Sequence, residues 1–180
     1  ETFAIETERL RISVLDLPTA YWHALTHGLD ADAARRLQGV RLVIVGGEAV
    51  LPERAARWAE LLPTPELLNT YGPTEATGVS LCHAVTSKPE DDQTRVPIGR
   101  PCANTEALLL RADGAPARVG EEGELHIRGA GVAAGYWNDP EKTRTAFVDN
   151  PLSPGRGDRL YRTGDLAVQR ADGSFEFLGR

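Results

Sequence analysis

A run of seven residues combines four side-chain types that suit a nucleotide and its metal ion. It reads Asn69-Thr70-Tyr71-Gly72-Pro73-Thr74-Glu75 and follows the apolar pair Leu67-Leu68. An amide can bond a base edge, a flat aromatic ring can stack, a hydroxyl can bond phosphate and a carboxylate can hold a metal. An apolar pair followed by a Gly-Pro turn is typical of a strand that ends in a loop. Because open α/β sheets bind ligands beyond the carboxyl ends of their strands, we expect this loop to bind a ligand.

Two further segments carry features of the same kind. Asp165, in Thr163-Gly164-Asp165, has a carboxylate suited to accepting hydrogen bonds from vicinal ribose hydroxyls, although the tripeptide also fits a plain turn before a strand. Gly46-Gly47-Glu48-Ala49 follows an apolar run, and its two glycines would let a ligand approach the backbone closely. A simple strand-to-helix turn is the alternative for this second segment.

Three motifs in order resemble the AMP-forming adenylation family. They are Asn69–Glu75, the segment Gly123-Glu124-Leu125-His126-Ile127-Arg128-Gly129-Ala130-Gly131 running on to Gly135-Tyr136, and Tyr161-Arg162-Thr163-Gly164-Asp165-Leu166. The first motif is most similar to the form found in adenylation domains of nonribosomal peptide synthetases. The final Leu178-Gly179-Arg180 resembles the opening of the next family motif. The resemblance covers essentially the whole chain.

The resemblance implies a two-step reaction. An amino acid and ATP give an aminoacyl-adenylate and pyrophosphate, and the acyl group then passes to the pantetheine thiol of a carrier protein. ATP and Mg²⁺ are the implied cofactors, because in-line attack on the α-phosphorus requires the charge of the triphosphate to be neutralised. The implied partners are the amino acid and the peptidyl carrier and condensation domains of the same synthetase.

The resemblance also assigns roles to individual residues. Thr74 would bond phosphate and Glu75 would hold Mg²⁺, which makes them the candidate catalytic pair. Tyr71 would stack on adenine, Asn69 would contact its edge, and Asp165 would bond the ribose. Arg180 would meet ribose or phosphate, a task that suits a guanidinium, while Phe177 is equally consistent with a core role. The full set of candidate nucleotide-binding residues is Gly47, Glu48, Ala49, Asn69, Tyr71, Gly72, Asp165, Phe177 and Arg180.

A pocket for the substrate side chain is implied as well. Its candidate wall residues are Asp16, Ile44, Gly46, Thr70, Gly78 and Val79. Asp16 is the one charged member, and a buried carboxylate needs a partner. We therefore expect a basic or amide amino acid, such as lysine, ornithine, arginine or glutamine. The alternative is that Asp16 caps the helix that begins near Pro18.

One departure from the family pattern concerns the glycine-rich motif. Relatives commonly have Ala-Arg-Gly-Tyr where this chain has Ala133-Ala134-Gly135-Tyr136, so the loop lacks a positive charge. The four histidines are scattered without metal-ligand spacing, and we assign none of them a catalytic role.

The pattern of elements predicts an α/β fold, with part of a doubly wound parallel sheet followed by a small, mostly antiparallel β-barrel-like subdomain. Leu42–Val45 predicts a parallel strand buried on both faces, and Pro18 and Pro52 each predict a helix start. Asp113-Gly114 and Asp172-Gly173 predict hairpins, and Asn138-Asp139-Pro140-Glu141 predicts another helix start. We expect an α/β portion with the nucleotide and amino-acid pocket at 1–86, a connecting loop at 87–95 and the β subdomain at 96–180.

Composition excludes several classes of function. The chain has 20 Lys and Arg against 26 Asp and Glu, a net charge of −6, which argues against a nucleic-acid-binding surface. No apolar run reaches membrane-spanning length and no signal peptide opens the chain, so we expect a cytoplasmic protein. Cys82 and Cys102 show no metal or redox spacing and are expected to be buried, reduced thiols.

Two other functions remain open at this point. An acyl-CoA or aryl-acid ligase would share the same chemistry, and a degenerate adenylation-like module would serve only as a scaffold. The chain begins at Glu1 and contains no methionine, so we expect it to be a piece of a longer protein, called the parent protein below. The family's glycine-rich phosphate loop and catalytic lysine are not among its residues, and we expect the isolated chain to be inactive.

Overall fold

The computed structural model describes residues 2–85, 94–155 and 157–180. Most of the predicted connecting loop at 87–95 lies outside these residues. Among the residues described, no helix is both long and apolar enough to cross a membrane.

The helices are α1 (Thr2–Arg9), α2 (Thr19–Gly28), α3 (Ala31–Arg36), α4 (Pro52–Leu61) and α5 (Pro140–Ala146). The strands are β1 (Val14–Pro18), β2 (Leu42–Gly46), β3 (Glu66–Tyr71), β4 (Leu81–Val85), β5 (Arg100–Pro101), β6 (Thr105–Leu110), β7 (Glu122–Gly129), β8 (Phe147–Asp149), β9 (Arg159–Gln169) and β10 (Phe175–Gly179).

The chain divides into two compact units. The first comprises Glu1–Thr70 and His83–Val96, and the second comprises Tyr71–Cys82 and Pro97–Arg180. This division places Tyr71–Cys82 with the antiparallel strands, whereas the boundary expected from the sequence placed it with the parallel ones. The domain assignment itself stays a prediction.

The first unit contains the parallel sheet. β1 pairs with β2 and β2 with β3, both in parallel, with Leu15 opposite Val43 and Val43 opposite Leu67. The predicted α/β class with a parallel sheet is confirmed.

One face of this sheet carries the core of the first unit. Val43 and Val45 are fully buried in a cluster that includes Trp22 and Trp58, whose rings lie 5.8 Å apart. Ile44, which points to the other face, is only half-buried. The expectation that β2 is buried on both faces is therefore wrong for one face.

Local sequence signals set the helix starts. Pro18 directly precedes α2, and Pro52 is the first residue of α4. The Asp139 side chain accepts a hydrogen bond from the backbone N–H of Lys142 at 2.9 Å and so caps α5. These three predicted starts are confirmed, because the fixed φ of proline and the side-chain cap act within a single turn.

The second unit is built on antiparallel strands. They follow the order β10-β9-β7-β6, and β8 also pairs with β9. Asp172-Gly173 lies in the hairpin between β9 and β10, where Phe175 pairs with Gln169. Leu125, Ile127 and Ala167 are fully buried and form the centre of this unit's core. The predicted antiparallel subdomain is confirmed.

The two cysteines are neighbours, which their spacing of 20 positions did not indicate. In the antiparallel pair of β4 and β5, Cys82 lies opposite Arg100, and the Cys102 N–H donates to the Ser80 carbonyl at 2.9 Å. Burial raises the pKa of the Cys102 thiol, and its hydrogen bond with Cys82 adds to the shift. Both thiols are free and half-buried, so the expectation of fully buried thiols is wrong.

Candidate functional site

A hydrogen-bonded cluster in the second unit joins residues from three separate motifs. The Tyr71 hydroxyl donates to Asp165 Oδ2 at 2.6 Å, and Arg180 Nε donates to Asp165 Oδ1 at 2.7 Å. The Phe177 ring lies 6.4 Å from the Tyr71 ring between centroids. Four of the residues predicted to bind a nucleotide therefore lie together, although Tyr71 and Asp165 are 94 positions apart in the sequence.

The long strand β9 fixes the Asp165 carboxylate. The Asp165 N–H donates to Thr163 Oγ1 at 3.0 Å, and the Thr163 hydroxyl donates to the Leu125 carbonyl on β7 at 2.6 Å. Tyr71 and Arg180 hold one carboxylate oxygen of Asp165 each. Asp165 is 7% exposed, so the carboxylate is largely shielded from water. A carboxylate has about four lone-pair sites, so Asp165 can also accept hydrogen bonds from the hydroxyls of a bound sugar.

Tyr71 keeps its proton over the whole physiological range. Burial raises the pKa of Tyr71, and its hydrogen bond to Asp165 raises it further. The phenol is therefore a neutral donor that anchors Asp165, while the half-buried ring remains a flat surface of the kind that stacks on a base.

The turn after Tyr71 requires glycine. A Cβ on Gly72 would lie 1.8 Å from the Gly78 carbonyl oxygen and 2.7 Å from the Ser80 nitrogen. The Ser80 N–H also donates to the Tyr71 carbonyl at 2.8 Å, so the chain returns along itself. This close approach places Thr74, which is exposed, and Glu75, which is half-buried, in a short 3₁₀ turn (Thr74–Ala76).

Glu75 is held by the loop that contains Tyr136. The Tyr136 hydroxyl donates to Glu75 Oε1 at 2.5 Å, and the Ala133 N–H donates to the Glu75 carbonyl at 2.8 Å. The hydrogen bond from Tyr136 is the main cause that lowers the pKa of Glu75, and one from Tyr161 acts in the same direction. Glu75 is therefore ionised at neutral pH.

The chemistry of Glu75 fits Mg²⁺ bound together with a nucleotide. Among the described residues there is no group of three or more His, Cys, Asp or Glu side chains that could hold a metal ion alone. Mg²⁺ commonly takes one or two protein carboxylates and completes its shell with water and substrate phosphates. A single ionised carboxylate on a half-buried turn suits that arrangement.

Four of the predicted side-chain pocket residues share one face of the parallel sheet in the first unit. Asp16 lies opposite Ile44, and Gly46 lies opposite Thr70. The Thr70 hydroxyl donates to the Val45 carbonyl at 2.9 Å, and a Cβ on Gly46 would lie 2.5 Å from Thr70 Oγ1. Glycine at position 46 therefore leaves room for the Thr70 side chain on this face.

Asp16 differs from both expectations for it. It lies within β1 and is exposed, so it is not the buried carboxylate that was expected. It does not cap α2 either, since that helix has Pro18 at its N-cap and no side-chain hydrogen bond there. The alternative role of Asp16 as a helix cap is wrong.

The other predicted residues occupy different surroundings. Gly47, Glu48 and Ala49 are exposed directly after β2, and Gly47 has a φ of 90°. Asn69 is 2% exposed within β3. In the second unit, Val79 is 49% exposed beside Gly78, and both follow the 3₁₀ turn that holds Glu75.

The partners of Glu75 were not predicted from the sequence. Tyr136 and Tyr161 both belong to the family-like motifs, but nothing in the spacing of 61 positions indicated that Tyr136 bonds Glu75. The unusual Ala134 is exposed, and its carbonyl accepts a hydrogen bond from Arg159 Nη1 at 2.9 Å. Arg159 on β9 therefore brings a positive charge to the loop that contains Tyr136, although the loop lacks the arginine that relatives have at position 134.

The chain is similar to several known proteins. Residues 2–137 match the family of AMP-binding enzymes. The isonitrile lipopeptide synthase of Streptomyces coeruleorubidus is 44% identical over 178 residues, which cover 96% of this chain and 11% of that protein. Tyrocidine synthase 3 of Brevibacillus parabrevis is 42% identical over 156 residues, which cover 87% of this chain and 2% of that protein.

A solved structure shows the same fold. NpsA-ThdA from Klebsiella oxytoca, an artificially fused adenylation and PCP di-domain of a nonribosomal peptide synthetase, aligns with a TM-score of 0.86 at 27% identity. The alignment covers 99% of this chain and 32% of that one, so the chain spans a minor part of the proteins it resembles. From its matched residues, its fold and these relatives, the chain belongs to the AMP-binding enzyme family and is similar to the adenylation domains of nonribosomal peptide synthetases.

Proposed function

We propose that the parent protein is an AMP-forming ligase that activates an amino acid, and that this chain is part of its adenylation domain. The cluster of Tyr71, Asp165 and Arg180 is the observation that carries the proposal. It gathers an aromatic ring, a fixed carboxylate and a guanidinium, the groups that a base, a ribose and a phosphate require, within hydrogen-bonding distance in one unit. A module that served only as a scaffold would not need to retain this set of groups.

Each residue then has a task in the first step. The substrate carboxylate attacks the α-phosphorus of ATP, and pyrophosphate leaves. Tyr71 offers its ring to adenine, Asp165 accepts hydrogen bonds from the ribose, and Thr74 donates its hydroxyl to phosphate. Glu75 would hold Mg²⁺, which when bound supplies the positive charge that the crowded triphosphate needs. These groups act by positioning and electrostatic stabilisation, which together account for most of the catalysis of phosphoryl transfer.

The second step defines the partners. A pantetheine thiolate of a carrier protein attacks the acyl carbon of the adenylate and AMP leaves, which gives a thioester. Support for a carrier partner comes from NpsA-ThdA, in which an adenylation domain is joined to a PCP domain. A condensation domain of the same synthetase would be the next partner.

ATP–pyrophosphate exchange on the parent protein tests the proposal. We expect exchange that depends on one amino acid or a small group of them. Exchange that depends on an aryl or fatty acid instead would identify the acyl-CoA or aryl-acid ligase. Absence of exchange with every acid, in a preparation that is folded, would favour the scaffold module.

We expect the isolated chain of 180 residues to show no substrate-dependent pyrophosphate exchange. Electrostatic stabilisation is usually the largest contribution to catalysis, and the family's phosphate loop and catalytic lysine supply much of it. The parent protein assayed under the same conditions is the positive control. Measurable exchange by the chain alone would contradict this expectation.

The substrate side chain is the finer part of the proposal. We propose a basic or amide amino acid, because Asp16 is the one charged residue among the four pocket candidates that share this face, the others being Ile44, Gly46 and Thr70. The position of Asp16 on this shared face supports its assignment to the side-chain pocket. The side chain is exposed, so the proposal does not rest on burial of its carboxylate.

Asp16→Ala in the parent protein is expected to lower kcat/KM for a basic amino acid by about 10- to 100-fold, which is the loss of one charged hydrogen bond. The KM for ATP should not change. Asp32→Ala is the matched control, since Asp32 is exposed on α3 and forms an exposed ion pair with Arg35. A parent protein that prefers valine or phenylalanine and tolerates Asp16→Ala would refute the pocket assignment.

A further inference from the structure

The 3₁₀ turn that carries Glu75 is fastened to the Tyr136 loop, which we define as residues 131–139. Besides the two hydrogen bonds to Glu75, the Thr77 hydroxyl donates to the Gly131 carbonyl at 2.6 Å. A Cβ on Gly131 would lie 3.0 Å from the Ala76 carbonyl oxygen, so the two segments also pack closely. The turn and the loop therefore form one structural piece, in which the hydrogen bond from Tyr136 reaches the Glu75 carboxylate itself.

Helix α5 holds the backbone of Tyr136 in place. The Tyr136 N–H donates to Thr143 Oγ1 at 2.9 Å, and the Thr143 hydroxyl donates to the Asp139 carbonyl at 2.7 Å. A Cβ on Gly135 would clash with the Thr143 side chain, so the chain before Tyr136 runs directly against the helix. The backbone at Tyr136 thus has little freedom to move.

The ring of Tyr136 is fixed as well. It packs edge-on against Phe147 with centroids 5.6 Å apart, and the Lys142 ammonium lies 4.2 Å from its centre. Phe147 is 4% exposed, and its ring packs against the buried Tyr161 ring with centroids 5.2 Å apart. Since a phenol has only two side-chain torsions, these contacts determine where the hydroxyl points.

A hydrogen bond from a fixed hydroxyl group to one carboxylate oxygen also orients the other oxygen of that carboxylate. Glu75 Oε1 accepts the hydrogen bond from Tyr136, and Tyr161 also hydrogen-bonds this carboxylate. An ionised carboxylate has about four lone-pair sites, so a Glu75 side chain held in this way retains lone pairs for a cation. Groups that hydrogen-bond a metal-binding carboxylate commonly change metal affinity or activity by about 10- to 100-fold when they are removed.

We propose that Tyr136 is a positioning residue that holds Glu75 by its Oε1 atom and so presents Oε2 to the divalent cation of the nucleotide complex. This inference rests on the proposed function, because it assumes that Glu75 binds that cation. Tyr136 itself touches neither the cation nor the substrate in this proposal, and it acts only through Glu75.

Cation binding to the parent protein, measured without turnover, tests this proposal. Mn²⁺ replaces Mg²⁺ as the probe, a non-hydrolysable ATP analogue is present, and bound Mn²⁺ is followed by electron paramagnetic resonance. We expect Tyr136→Phe to weaken Mn²⁺ binding about 10-fold and to raise by a similar factor the Mg²⁺ concentration that gives half-maximal pyrophosphate exchange. The rate at saturating Mg²⁺ should stay close to that of the unmodified protein.

Tyr21→Phe is the matched control. Tyr21 is 46% exposed and packs edge-on against Phe3 in the first unit, so loss of its hydroxyl should leave Mn²⁺ affinity unchanged. Thermal unfolding of each variant shows whether the fold is retained. A Tyr136→Phe protein that is folded and binds Mn²⁺ as tightly as the unmodified protein would overturn the proposal.

The double variant separates this proposal from the function on which it rests. If Tyr136 acts only through Glu75, then Glu75→Gln combined with Tyr136→Phe should bind Mn²⁺ no more weakly than Glu75→Gln alone. Additive losses would show that Tyr136 acts elsewhere and would refute its positioning role. If Glu75→Gln does not weaken Mn²⁺ binding, the metal role of Glu75 fails and this inference fails with it.

Discussion

Glu75→Gln in the parent protein is expected to slow amino-acid-dependent pyrophosphate exchange by about 10²- to 10³-fold, the usual cost of losing one preorganised electrostatic group at a reaction centre. Glutamine has nearly the same shape, and its amide oxygen can still accept the hydrogen bond from Tyr136 that Glu75 now accepts at 2.5 Å. The fold should therefore be retained while the negative charge is lost. Exchange rates measured over a series of Mg²⁺ concentrations give the size of the effect.

The control for this experiment is Glu122→Gln, which removes an exposed carboxylate from β7 in the same unit. It should not change the Mg²⁺ dependence. We expect part of the loss in Glu75→Gln to be recovered at high Mg²⁺, because the variant weakens binding of the cation and leaves the other groups in place. An unchanged rate at limiting Mg²⁺ would remove Glu75 from the metal site.

Gly72→Ala is expected to destabilise the second unit strongly. The new Cβ would lie 1.8 Å from the Gly78 carbonyl oxygen, and the Ser80 nitrogen would be 2.7 Å away. Both are backbone atoms, so the added methyl group can be accommodated only if the chain itself moves. Overpacking costs about 1–3 kcal/mol where side chains can adjust, and we expect at least the upper end here.

Thermal unfolding and hydrogen exchange of residues 71–82 in the parent protein measure this effect. A loss of about 3 kcal/mol corresponds to a fall in Tm of about 6–12 °C for a domain of this size. Gly28→Ala is the matched control, since a Cβ at this helical position has nothing within 4 Å. Equal stability of the two variants would show that the turn after Tyr71 is not as tightly packed as the structure indicates.

The sequence by itself determined the local elements of this protein. The prolines before α2 and at the start of α4, the Asp139 cap of α5 and the Asp-Gly turn before β10 were all predicted from residue type and spacing. Each of these signals acts over three or four residues, through a fixed backbone torsion or a hydrogen bond to a nearby N–H. The order of the three motifs along the chain was also sufficient to indicate the family, because recognising the motifs requires no knowledge of which residues are close in space.

Only the tertiary structure decided which of these side chains meet. Strand pairing and core packing, and not any local preference, bring Tyr71 to Asp165 and Tyr136 to Glu75 across 94 and 61 positions of sequence. Asp16 shows the same limit, because the family resemblance implied a buried pocket carboxylate where the sheet leaves the side chain exposed. A register shift of one residue would turn each side chain to the opposite face of its sheet, so contacts of this kind depend on the whole fold.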